Sequence, residues 1–290
     1  MLNRMLKTAA LALPALFLMS CGYGNVNGVS LAITDAPLDL ATSVNISFAK
    51  IEFSGPDVSP FKVNIKPASS VDVFQLQGGI AATVLSGLQV KPGHYTNLRV
   101  TLAADPNTAQ SNITLPDGLH ILYIPAGVST KVDIPIDFTI ASGGSVNLTM
   151  DVDLRKSIIQ DPDDPTKYQL IPSIRAVETE RSGTITGSVD SSLIACLSPA
   201  VYVYSGHVTP TDVDIADPTH QQPLSTALVG LNATTGNYNF TVGFLPTGDY
   251  TVAFTCQATL DVANQSNPIQ FTSMTRTSVQ PRVTSFIALQ

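Results

Sequence analysis

Two acidic loops hold the residues best suited to chemistry. "QDPDDPTKY" gathers Asp161, Asp163 and Asp164, and "HVTPTDVDIADPTH" gathers His207, Asp212, Asp214, Asp217 and His220. Hard cations such as Ca²⁺ take several carboxylate oxygens, so both stretches are candidate metal loops. Pro162 and Pro165 interrupt the first, and neither has the D-x-D-x-D-G spacing of a calcium loop. A solvated hairpin turn and a flexible acidic loop are the readings favoured here, with no metal and no cofactor expected. The remaining histidines, His94 and His120, complete no H-E-x-x-H motif, and no serine lies in G-x-S-x-G. No catalytic residue is therefore assigned. "TDAPLD" places Asp35 and Asp39 about a proline turn that Asp35 is expected to cap through its side chain.

Three cysteines are present: Cys21, Cys196 and Cys256. Arg4 and Lys7 precede the apolar stretch "TAALALPALFLMS", which has the length of a signal-peptide core and is too short to span a bilayer. The next residues, "LMSC", resemble a lipobox, with Leu18 three positions before the cysteine and Ser20 directly before it. That resemblance implies removal of residues 1–20 and acylation of Cys21 (diacylglycerol, palmitate). The lipid would then hold the chain on the membrane. By resemblance to Gram-negative sorting signals, Gly22 in place of Asp implies the outer membrane, facing the periplasm or the surface. With Cys21 used by lipid, Cys196 and Cys256 are left in an oxidising compartment, where a disulfide is expected. Two buried free thiols are the alternative, since Cys256 shares an alternating face with Val252 and Phe254.

Removing residues 1–20 takes two bases from 15 and no acid from 22, which leaves a net charge of −9. Nucleic-acid binding needs a basic footprint and is excluded as an expectation. An envelope protein or a glycan remains a conceivable partner, although the absence of Trp weakens the glycan reading.

The elements that must position these residues are strands. Period-2 alternation recurs, most clearly in "KVDIPIDFTI" (131–140) and "SVNLTMDVDL" (145–154). The intervening Ser142, Gly143 and Gly144 predict a long hairpin. A parity shift after Phe48 predicts a β-bulge at Ala49–Lys50. Only "GGIAATVLSG" hints at a helical turn. One packed and one solvated face per strand gives an all-β chain of two antiparallel sandwiches, Ig-like or transthyretin-like. The expected divisions are a tether at 21–28, a first domain at 29–178, a linker at 179–182 and a second domain at 183–290. "VKPGHYTNLRVTL" and "FLPTGDYTVAFTC" repeat one Pro–Gly–x–Tyr turn, whose Tyr95 and Tyr250 are expected to reach loop backbone as in a tyrosine corner.

Two family resemblances follow from these residues. "GTITGSV" (183–189), "AVYVYSG" (200–206) and "ATTGNYNFTVGFLPTGDYTVAFTC" (233–256) resemble the carboxypeptidase regulatory-like, or transthyretin-like, modules, which implies a β-sandwich and says little about function. "VSLAITDAPLD" (29–39), "VNISFAKIEF" (44–53), "FQLQGG" (74–79), "LQVKPGHYTNLRVTL" (88–102) and "DVDLRKSI" (151–158) followed by "YQLIPSIR" (168–175) resemble a bacterial lipoprotein family classed as a domain of unknown function. It implies location and fold, and supplies no catalytic residues. Together these readings imply a non-enzymatic, lipid-anchored binding or structural module of the cell envelope. The alternatives are a calcium- or carbohydrate-dependent adhesin-like binder and, below it, a hydrolase accessory domain.

Overall fold

The computed structural model describes residues 28–196 and 198–290. Cys21 and the signal-like segment lie outside the described residues. The first twelve strands are β1 (Gly28–Ala36), β2 (Ser43–Gly55), β3 (Val58–Asp72), β4 (Ala82–Gln89), β5 (Gly93–Leu102), β6 (Asn112–Leu115), β7 (Gly118–Tyr123), β8 (Lys131–Ile140), β9 (Ser145–Asp153), β10 (Ile158–Gln160), β11 (Lys167–Leu170) and β12 (Ile174–Glu178). A single helical turn, α1 (Leu154–Ser157), separates β9 from β10. These strands build two facing sheets, β12-β9-β1-β4 and β10-β11-β7-β6-β2-β5-β8, with β3 paired to β2.

After a 3-10 turn at Thr179–Arg181 come β13 (Ser182–Val189), β14 (Ala200–Ser205), β15 (Ser225–Leu228), β16 (Gly230–Leu231), β17 (Tyr238–Pro246), β18 (Gly248–Thr255), β19 (Phe271–Val279) and β20 (Thr284–Leu289). They form a second pair of sheets, β16-β17-β13-β20 and β15-β14-β18-β19. The chain is thus all-β, in sandwiches whose sheets are mostly antiparallel, with parallel pairings at β1/β9, β7/β11 and β13/β20.

Three local expectations change. The alternating strands β8 and β9 are not a hairpin: β8 pairs with β5, whereas β9 lies between β1 and β12 in the opposite sheet. The chain arches across the sandwich at Ala141–Gly144, so Ile134, Phe138 and Ile140 meet Leu148, Met150 and Val152 through the core instead of along a ladder. "ATVLSGLQ" is strand β4, held by pairing with β1, so no helical turn forms there. The third change is in β14 and β18, which are buried on both faces. Val201, Val203, Val252 and Phe254 face their own sandwich, while Ala200, Tyr202, Tyr204 and Ala253 pack with Ile159 of the first domain. The bulge in β2 is present, as a register shift between Phe48 and Lys50 against both neighbours.

Both Pro–Gly–x–Tyr turns close alike. The Tyr95 hydroxyl donates to the Lys91 carbonyl (2.8 Å), and that of Tyr250 donates to the Pro246 carbonyl (2.6 Å). The ring of Tyr95 stacks on Phe138. Cys196 and Cys256 form a disulfide, which ties the segment before β14 to the end of β18.

Candidate functional site

The densest group of buried polar residues lies where the two domains meet. Arg155, in α1, is 2% exposed. A buried guanidinium needs a charge partner and an acceptor for each donor it presents. Nη2 pairs with Asp39 Oδ2 (2.5 Å), Nη1 donates to the Ala258 carbonyl (2.9 Å), and the head sits 5.3 Å from the Tyr202 ring centroid. Asp39 also accepts from Ser198 Oγ at 2.7 Å. Tyr202 in turn donates to Asp261 Oδ2 (2.6 Å). Burial pushes the Asp261 carboxyl up, opposed by that hydrogen bond, by Arg155 and by the Val213 N–H. One arginine of the first domain therefore touches two elements of the second, β14 at Tyr202 and the turn at Ala258.

Arg175 repeats the pattern on the other side of β9. It pairs with Asp151 and donates through Nη1 to the Phe244 carbonyl (2.7 Å). Phe244 takes a positive φ of 53° at a bulge in β17, an uncommon conformation for a bulky side chain. Next to it, Gly243 approaches Gly79 so closely that a Cβ would lie 2.6 Å from the Gly79 Cα. A glycine at 243 is what lets the domains touch there.

Between these contacts lies a small cavity lined by Thr34, Asp35, Gly78, Gly79 and Asp151 from the first domain and Ser225, Thr226, Thr241, Val242 and Gly243 from the second. Thr34 Oγ1 bonds the Leu76 and Ile80 carbonyls and so fixes the 76–80 loop over β1. Asp35 does not cap its turn as expected: its carboxylate faces inward near the Leu154 N–H, which favours its charged form, but neither oxygen reaches full hydrogen-bond geometry, and the residue is 7% exposed. Its position on β1 turns the side chain inward. Burial raises its pKa well above the ordinary value, reinforced by the charges of Asp151 and Asp153.

The acidic loops named from sequence are used locally. Asp161, 8% exposed, accepts from the Tyr123 hydroxyl and the Asp163 N–H, and Asp164 accepts from Thr166 and pairs with Lys167. Both belong to the turn of the β10–β11 hairpin. Asp212 pairs with His220 and accepts from the Asn267 N–H, Asp214 accepts from the Ala216 N–H, and Asp217 from Thr219. Among the described residues no group of three or more His, Cys, Asp or Glu converges as metal ligands. His94 pairs with Asp137, and His120 with Asp117. The widest groove beside the junction with no titratable lining, about 360 Å³, runs between Pro37, Gln77 and the β15–β17 segment.

Arg155, Arg175 and Tyr202 lie in the family-like segments "DVDLRKSI", "YQLIPSIR" and "AVYVYSG", where no site role is assigned to them from sequence. The one available signal was the unbroken apolar run "AVYVY", which marks a strand covered on both sides.

The family described as "Domain of unknown function (DUF4382)" matches residues 27–172, half of the chain. The chain belongs to that family. The match spans Asp35, Asp39, Asp151 and Arg155, the first-domain side of the junction; Arg175 lies just beyond it. No curated protein matches the sequence. Among solved structures, the TIE protein of Bacillus anthracis is similar at 13% identity and a TM-score of 0.20, over 91% of this chain and 34% of that one. The chain thus spans about a third of that relative's length. The minor pilin GBS52 of Streptococcus agalactiae is similar at 10% identity and TM-score 0.19, covering 90% of this chain and 94% of that one. The fimbrial anchor protein Mfa2 of Porphyromonas gingivalis matches at 13% identity and TM-score 0.19, over 80% of this chain and 79% of that one. At such scores the neighbours' roles do not transfer to this chain. No helix among the described residues is long and apolar enough to cross a membrane.

Proposed function

We propose that this protein is a non-enzymatic module of the cell envelope, lipid-anchored through Cys21 at the outer membrane, whose two sandwiches present a fixed surface for binding or for spacing. The observation that carries this reading is the junction around Arg155. Its hydrogen bond to the Ala258 carbonyl crosses between the domains, and its ion-pair partner Asp39 is bound in turn by Ser198 of the second domain, so the polar groups at the best-formed site hold the domains together instead of converging on a substrate. Buried polar contacts between the domains suit a scaffold, because relative domain motion is the default where such an interface is lacking. The acidic mature chain favours partners other than nucleic acid.

The deciding experiment is the intact mass of membrane-extracted protein beside a Cys21→Ala version, followed by cross-linking in intact cells. A diacylglyceryl increment on Cys21, together with a cross-linked envelope partner, is the expected result. A soluble unlipidated product, or turnover abolished by replacing one histidine, would sink it.

A further inference from the structure

We propose that the cavity between β1, β9 and β15 is a binding site for one dehydrated hard cation, best matched by Ca²⁺, with Asp35, Asp151 and Thr226 as side-chain ligands. Four oxygens carry the argument. Asp35 Oδ1 and Oδ2, Asp151 Oδ1 and Thr226 Oγ1 are all buried without a hydrogen-bond partner, and all three residues line this one cavity. The residues are 7%, 4% and 2% exposed. Buried polar atoms are rarely left unsatisfied; of the nine such side-chain atoms among the described residues, these four belong to residues lining one cavity. The cavity admits about one water-sized sphere, about 10 Å³, the size of a single water or a monatomic ion.

Charge selects between those occupants. Asp35 feels the charges of Asp151, Asp153 and Asp72. Arg175 pairs with Asp151, and Lys156 with Asp153 at 2.8 Å. No described ion pair involves Asp35, so its carboxylate and the free Oδ1 of Asp151 are what a cation in the cavity would meet. A proton on Asp35 is the competing solution, because its O–H would donate to one of these oxygens, and the calcium titration decides between the two. The donors are all oxygen, which fits Ca²⁺ better than a transition metal. Mg²⁺ retains several of its own waters, for which this cavity has no room. With two carboxylates and a hydroxyl, the remaining ligands would be backbone carbonyls of the lining. Such an ion would bridge the domains, since Asp35 and Asp151 belong to the first and Thr226 to the second.

The test is thermal melting and calorimetric titration of the full chain, stripped with chelator, against Ca²⁺, Mg²⁺ and K⁺. Calcium is expected to raise Tm by several degrees, while the other two leave it unchanged. Asp35→Asn removes the charge at constant shape; it should melt above the calcium-free parent and no longer respond to calcium. Thr226→Val should weaken calcium binding by about tenfold and decides the matter if the first variant does not fold. Asp163→Asn and Asp217→Asn, in the acidic loops, should respond like the parent. A parent chain indifferent to calcium, or a response kept in Asp35→Asn and lost in a loop variant, overturns the proposal. Neither result bears on the lipid anchor.

Discussion

Asp39 and Arg155 meet at 2.5 Å in a seam where Arg155 is 2% exposed, and both are also bound by the second domain. Ser198, 159 positions from Asp39, donates to the same carboxylate. A pair buried this way is held in place as much by its hydrogen bonds as by Coulomb attraction, since taking both charges out of water costs several kcal/mol per ion.

Arg155→Met should therefore be strongly destabilising, by about 3–5 kcal/mol, because it strands Asp39 without its counter-charge. Scanning calorimetry is expected to show the single parent transition split into two as the domains uncouple. An unsplit, unshifted transition would contradict the role given to Arg155.

Tyr95→Phe and Tyr250→Phe remove matching hydrogen bonds from the two sandwiches. Each should cost about 1 kcal/mol, and the double variant about the sum, because the sites share no partner. Denaturant titration of the three variants checks this, and strong non-additivity would argue against two independent corners.

The disulfide closes a loop across a sequence separation of 60. For a loop of that length the chain-entropy estimate is about 4 kcal/mol. Replacing both cysteines with serine should lower the guanidinium midpoint accordingly, and reductant should then have no further effect. Cys196 and Cys256 stand two residues before Ser198 and Ala258, so the loss should also loosen the Arg155 contacts, readable as faster amide exchange in α1.

His120 offers a pH test. The hydrogen bond to Asp117 (2.9 Å) raises the His120 pKa, helped by the Thr166 carbonyl and opposed by burial. The same bond lowers that of Asp117. The histidine's contribution to stability is complete below about pH 6.5, its unfolded value, and is lost as pH rises through the higher folded value. The carboxylate's contribution is present above about pH 3.9 and is lost as pH falls through its lowered folded value. NMR titration should find His120 above an unperturbed histidine, and Asp117→Asn should bring it back down. An unchanged midpoint in that variant would contradict the pairing.

Much of the architecture was legible from local pattern. The alternation in 131–140 and 145–154 identified two strands and their core faces, because side chains two apart share a face whatever the strand pairs with. The two Pro–Gly–x–Tyr turns were readable because their hydrogen bonds span only four residues. The β2 bulge showed as a break in parity. The same periodicity could not say that β8 and β9 join opposite sheets, since it reports which face is buried and not which edge is paired.

The junction lay further out of reach. Asp35 read as a turn cap and Arg155 carried no expectation, yet the fold buries both against residues such as Thr226, Tyr202 and Ala258, which lie 47 to 191 positions away along the chain. Sequence alone determined strands, core faces, corner turns and an acidic surface, because those follow from neighbours within a few residues. Tertiary structure decided sheet order, the doubly buried β14 and the charges sealed between the domains, because desolvation depends on what the rest of the chain lays over a residue.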